Sequence, residues 1–116
     1  MGFGTPGGDV QAQAMLQVFL NVNEFGMTLQ QAIEQPRFGT FILPNSFAPN
    51  AIGKFNLESR FPEWIVRSLQ DLGHPTEMWS NLAPAAGAVC AIMRDPNTGW
   101  LHAGADPRRE AYAIVW

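Results

Sequence analysis

Gly4-Thr5-Pro6-Gly7-Gly8-Asp9-Val10 runs straight into Gln11-Ala12-Gln13-Ala14-Met15-Leu16-Gln17-Val18-Phe19-Leu20-Asn21-Val22, and the reading of that junction decides the fold. A helix is predicted from Asp9 or Val10 to Phe25, stopped by Gly26, because glycine reaches the left-handed backbone that ends helices. Its polar residues Gln13, Gln17, Asn21 and Glu24 fall four, four and three apart, one narrow stripe, and almost everything else from Ala14 to Val22 is apolar. Such a helix is expected to be wet along the stripe and covered by neighbours on its other sides, the central helix of a layered structure. Consecutive glycines at its entrance leave two backbone N–H groups without intrahelical acceptors and without side chains in front of them. Two readings fit: a flexible turn, or a pair of donors able to hold an anion or a developing oxyanion.

Outward from the helix, Thr28 and Gln31 form a capping box for a second, short helix that Pro36 ends. From Arg37 to Asn50 the pattern is strand, then loop. Lys54 to Arg60 alternates Phe55, Leu57 and Ser59 with Lys54, Asn56 and Glu58, which predicts a half-buried strand. Pro62 opens a third helix that runs to Leu72 with Gly73 as its stop, Phe61, Ile65, Leu69 and Leu72 lining one face. Arg67 and Asp71 are spaced as a solvated pair on it. Glu77 to Ser80 suits a short strand, and Ala88–Met93 and Trp100–Ala103 flank Asp95-Pro96-Asn97-Thr98-Gly99, the turn chemistry of a hairpin. The order helices, strand, helix, strands predicts an α+β layered fold.

With 116 residues the chain holds one domain at most. Only 15% of residues are charged, against about 25% in ordinary domains, while 47% are hydrophobic. That is a thin polar coat for a body with so much surface. The net charge is −3 with no Lys/Arg cluster, so no nucleic-acid partner is expected. Apolar runs such as Ala88 to Met93 fall far short of the ~20 residues a membrane span needs, so no membrane partner is expected. No metal or cofactor is expected either: one cysteine and two histidines show no ligand spacing.

Two other constellations invite chemistry. Gly2, Gly4 and Gly7 spell G-x-G-x-x-G, with Glu24 twenty residues after Gly4, yet the dinucleotide motif needs a strand before it and an acidic residue at a strand end rather than a helix end. If Asp95 to Gly99 is the hairpin loop, Ile92 faces His102, Cys90 becomes its diagonal neighbour, and Asp106 follows four residues on, as in a thiol nucleophile site. The plainer alternative makes Cys90, between Val89 and Ala91, a small buried hydrophobe.

The blocks Gly4-Thr5-Pro6-Gly7-Gly8-Asp9, Leu16-Gln17-Val18, Asn21-Val22, Phe25-Gly26-Met27, Gln31-Ala32-Ile33 and Pro36-Arg37-Phe38 resemble the C-terminal part of the γ-glutamyltransferase (γ-glutamyltranspeptidase) family. The end of the chain agrees, in Ala91-Ile92-Met93-Arg94-Asp95-Pro96, Gly99-Trp100-Leu101 and Gly104-Ala105-Asp106-Pro107-Arg108-Arg109. The resemblance implies part of a four-layer αββα N-terminal-nucleophile hydrolase sandwich, with residues 1–116 as the C-terminal segment of the small-subunit region. It implies a precursor that cuts itself to expose a threonine, which attacks the γ-glutamyl amide of glutathione or a similar compound. By the same resemblance Gly7 and Gly8 supply the oxyanion-hole N–H groups, and Thr5 stands where serine is usual.

The family's nucleophilic threonine lies upstream in a Thr-rich motif, and its paired substrate-binding serines lie upstream too. None of Thr5, Thr28, Thr40, Thr76 or Thr98 has that context. The expectation is therefore a segment that is inactive alone, whose partner is the remainder of the same precursor: the large subunit and the first part of the small one. Isolated, it is expected to self-associate through Leu16, Phe19, Leu20 and their neighbours. Two rival expectations stand beside this one: an interaction or scaffold module without catalysis, and a piece of a related acylase acting on β-lactam side chains.

Overall fold

The computed structural model describes residues 1–41 and 53–116; the expected loop from Pro44 to Asn50 lies outside them. Two three-stranded sheets form an α+β arrangement. In the first, β1 (Gly2–Gly4) and β6 (Leu101–Gly104) flank β5 (Cys90–Arg94), all antiparallel. In the second, β3 (Lys54–Glu58) is central, antiparallel to β2 (Phe38–Phe41) and parallel to β4 (Thr76–Trp79). A parallel pair needs a crossover, and α3 (Glu63–Asp71) supplies it between β3 and β4.

The glycine-rich approach is a strand: Gly2, Phe3 and Gly4 pair with Ile92, Ala91 and Cys90. Glycine has little strand preference of its own, so pairing with β5 decides this element. A single 3-10 turn, Gly8–Val10, then leads into α1 (Gln11–Asn23). Gly26, with φ +66°, ends it, and the Met27 N–H reaches back 3.0 Å to the Asn21 carbonyl. The capping box forms as the spacing predicts: Gln31 N–H donates to Thr28 Oγ1 and Thr28 N–H to Gln31 Oε1, opening α2 (Leu29–Glu34). The core gathers Val10 from the 3-10 turn, Ala14 and Val18 from α1, Leu29 and Ile33 from α2, and Val89 and Ala91 from the β5 region. β6 comes so close to α2 that a Cβ on Gly104 would lie 2.6 Å from Ile33 Cδ1.

The polar stripe of α1 does the opposite of what its composition predicts. Gln13 and Gln17 face inward onto the outer edge of β2, while Leu16, Phe19 and Leu20 are exposed at 57%, 42% and 37%. Each glutamine amide acts as a detached peptide group. Gln17 Oε1 accepts the Phe38 N–H at 3.1 Å and its Nε2 donates to the Phe38 carbonyl at 2.9 Å. Gln13 does the same to Thr40 at 2.8 and 3.0 Å. The match is geometric: four helical residues rise about 6 Å, and two strand residues advance about 6.6–6.8 Å. Gln30 of α2 repeats the device on Ala105, at 3.1 and 3.0 Å.

Three smaller expectations change. β3 is buried on both faces rather than half-buried, since Asn56 and Glu58 are enclosed along with Leu57. On α3 it is Val66 that is buried, whereas Leu72, just beyond the helix end, is exposed. Arg67 pairs backward with Glu63 at the helix start, not forward with Asp71, an exposed contact of small energetic consequence. The third helix, its glycine stop at φ +87°, and the hairpin strands β5 and β6 stand where the sequence puts them.

Candidate active-site segment

Gly7 and Gly8 sit between β1 and α1 with φ of +139° and +57°, backbone that side chains other than hydrogen rarely permit. Gly7 accepts the Val10 N–H at 3.2 Å. Among the described residues, no acceptor takes the N–H of Gly7 or of Gly8. The loop leans on a second one. Thr5 Oγ1 donates to the Pro6 carbonyl at 2.8 Å and accepts the Ala88 N–H at 2.7 Å. Gly87, φ +82°, lies against it so closely that a Cβ there would stand 2.8 Å from Thr5 Oγ1 and 3.3 Å from Ala14 Cβ.

The strap from Ala83 to Val89 is fastened from beneath by buried charges. Glu58 Oε1 accepts the Ala83 N–H, Arg37 Nη1 donates to the Ala86 carbonyl, and Asp106 Oδ2 accepts the Val89 N–H. These groups also bind one another. Arg37 Nη2 lies 2.6 Å from Asp106 Oδ2, and Arg108 reaches Glu58 Oε2 at 2.6 Å and Asp106 Oδ1 at 3.0 Å. Arg60 adds a second guanidinium to Glu58 at 2.9 Å. Arg37 and Arg108 also donate to the Ile33 carbonyl near the end of α2.

The electrostatics follow from this packing. Burial works to raise the Glu58 carboxyl, but hydrogen bonds from Arg108, the Arg37 N–H and Arg60 outweigh it and hold the group below its usual range. Burial lowers Arg37, with the neighbouring Arg108 charge adding to the effect against Asp106. Burial also works to lower Arg108, and there Glu58 and Asp106 overcome it and raise the group. A buried charge set of this kind is tolerated because nearly every donor and acceptor has a partner.

Composition had no means of marking these residues, since each is an ordinary surface type when read singly. Their signal was positional, in the blocks Pro36-Arg37-Phe38 and Ala105-Asp106-Pro107-Arg108. The thiol constellation does not assemble. Met93, not Ile92, pairs with His102, so Cys90 and His102 point to opposite faces of the sheet. Cys90 is exposed there rather than buried. It shares that open face with Ile92 and Leu101, both also exposed.

Solved structures with this arrangement are N-terminal-nucleophile hydrolases. Cephalosporin acylase from Bacillus halodurans matches with a TM-score of 0.83 at 31% identity, over 98% of this chain and 19% of that one. The gamma-glutamyltranspeptidase family model matches residues 1–116, and the chain belongs to that family. It is 32% identical to the glutathione hydrolase-like YwrD proenzyme of Bacillus subtilis (strain 168), covering 97% of this chain and 20% of the relative. It is 33% identical to the oxamate amidohydrolase proenzyme of Klebsiella pneumoniae subsp. pneumoniae, again over 97% of this chain and 20% of the relative. The chain thus spans 20% of the length of these two relatives.

Proposed function

We propose that residues 1–116 are the C-terminal segment of a γ-glutamyl hydrolase or transferase precursor, one incomplete domain whose share of the active site is the oxyanion hole. The observation that carries this reading is the pair of unengaged N–H groups at Gly7 and Gly8, held at the entrance to α1. In the reaction, a threonine supplied by the rest of the precursor adds its hydroxyl oxygen to the amide carbonyl, and its α-amino group takes the proton. Negative charge develops on the former carbonyl oxygen, where the two N–H groups stabilise it. Collapse expels the amine, which takes up the proton, and leaves the γ-glutamyl ester on threonine. Water or an acceptor amine then receives the acyl group.

The natural partner in this reading is the remainder of the precursor. The open apolar faces support it: the outer side of α1, and a groove of about 620 Å³ lined among others by Leu16, Leu20, Phe25, Phe38, Phe61 and Ile65. Without that cover the chain self-associates through the same surface. A second reading, an acylase or amidohydrolase with a different acyl group, is favoured by the likeness to cephalosporin acylase and the oxamate enzyme.

The test uses the full-length precursor against γ-glutamyl anilide, glutaryl-β-lactam and oxamate. Preference for the γ-glutamyl compound is expected. Preference for either of the others assigns the second reading. The isolated chain should show no turnover, and turnover by the isolated chain that survives replacement of Thr5, Thr28, Thr40, Thr76 and Thr98 together would refute the role given to threonine.

A further inference from the structure

We infer that the Thr5 hydroxyl is a positioning group for the oxyanion hole, fixing the plane of the Pro6–Gly7 peptide through its paired contacts with Pro6 and the Gly87–Ala88 strap. The inference rests on the oxyanion role proposed above for Gly7 and Gly8.

The geometry is that of one peptide plane. The described residues contain no cis peptide, so the Pro6 carbonyl and the Gly7 N–H lie in one plane and point in opposite directions within it. Thr5 Oγ1 holds that carbonyl at 2.8 Å, which turns the Gly7 N–H the other way. A hydroxyl has one proton to give and lone pairs to receive with. Here the proton goes to Pro6, and the oxygen takes the Ala88 N–H at 2.7 Å. The two bonds therefore fix each other: with Ala88 donating to the oxygen, the Thr5 proton is turned to the Pro6 carbonyl.

The strap is shaped to receive this group. Gly87 leaves room that any Cβ would take from Thr5 Oγ1, with Pro6 O only 3.4 Å from the same position. Gly7 in turn lies close to the strap, its own hypothetical Cβ standing 3.7 Å from Gly87 Cα. Threonine adds rigidity, because a β-branched side chain is restricted at χ1. Serine carries the same hydroxyl and is expected to serve in its place. The residue touches no reacting atom, so it acts through the peptide it orients.

The decisive variants are Thr5→Val, which keeps the shape and removes the hydroxyl, and Thr5→Ser, which restores it. In the matured full-length protein, Thr5→Val is expected to lower kcat about 10²-fold, the order of loss that ångström-scale misplacement causes. KM should stay within about twofold, and Thr5→Ser should return kcat to within about threefold of the original. Equal kcat in all three proteins overturns the inference. So does a fall in Thr5→Val that only tracks the folded fraction seen by circular dichroism. Amide exchange at Ala88 provides a readout that needs no activity: Thr5→Val must speed it and Thr5→Ser must not. Unchanged Ala88 exchange overturns the inference even where the unsubstituted protein acts on none of the three substrates, a result that would by itself count against the proposed function.

Discussion

Replacing Asp106 by Asn removes one charge from the buried cluster and should unfold much of the protein's stability with it. Both carboxylate oxygens are engaged. Oδ2 accepts from Arg37 Nη2 at 2.6 Å and from the Val89 N–H at 2.8 Å; Oδ1 accepts from Arg108 Nη1 and from the Arg108 N–H at 3.0 and 3.1 Å. An amide turns one of those oxygens into a donor that faces donors, and it leaves Arg37, 2% exposed in its side chain, without its counter-charge. Removing one partner of a buried pair costs about 3–5 kcal/mol, a large share of the ~5–15 kcal/mol that holds a domain folded. At about 4 °C per kcal/mol for a chain of this size, the melting temperature should fall by roughly 12–20 °C. The assay is chemical or thermal denaturation followed by circular dichroism, with a cycle of Arg37→Met, Asp106→Leu and the double variant Arg37→Met/Asp106→Leu beside it. The double variant should cost less than the two single losses added, because it leaves no lone charge from that pair. A loss below about 1 kcal/mol for Asp106→Asn, or simple additivity in the cycle, would refute the reasoning.

Acid should act on the same cluster through Glu58. Its folded-state ionisation lies below the unfolded one, so the stability it contributes is whole above the ordinary glutamate range near ~4.3 and is lost as pH falls through the lower folded value; Glu58→Gln should flatten that acid limb in a denaturation series. Gln17→Leu should cost about 1–3 kcal/mol by stranding the Phe38 N–H and carbonyl, partly buried at the edge of β2, a loss read as a shift in urea midpoint and absent if water replaces the amide. The isolated chain should sediment as an oligomer at high concentration, and Leu16→Gln/Phe19→Gln on the exposed side of α1 should return it to monomer.

Much of the fold was legible where local chemistry acts alone. The Thr28 capping box, the glycine stops after α1 and α3, and the Asp95–Gly99 turn are decided within a few residues, and they fall where the sequence puts them. The failures share one cause, which is that the partner was elsewhere in the chain. Gln13 and Gln17 read as a wet stripe because a helix diagram has no place for a strand edge that peptide-like amides can satisfy. β1 was hidden by its glycines, since only β5 makes it a strand. The hairpin register slipped by one residue and moved His102 to the other face from Cys90. The buried charges were the least legible part, because their burial depends on contacts between Arg37, Glu58 and Asp106, far apart in sequence. The Gly7–Gly8 pair was visible from the start, but the Thr5 and Gly87–Ala88 contacts that hold it belong to the folded chain.

The most direct test of the account is turnover of a γ-glutamyl anilide by the full-length precursor with and without Gly8→Ala, beside the isolated 116-residue chain. Gly8 has φ +57°, so alanine there strains the loop that presents the amide. Activity is expected in the parent, a loss of about 10² in kcat for the variant through misplacement of that amide with processing retained, and none in the isolated chain. Full activity in Gly8→Ala, or turnover by the isolated chain, would contradict the account.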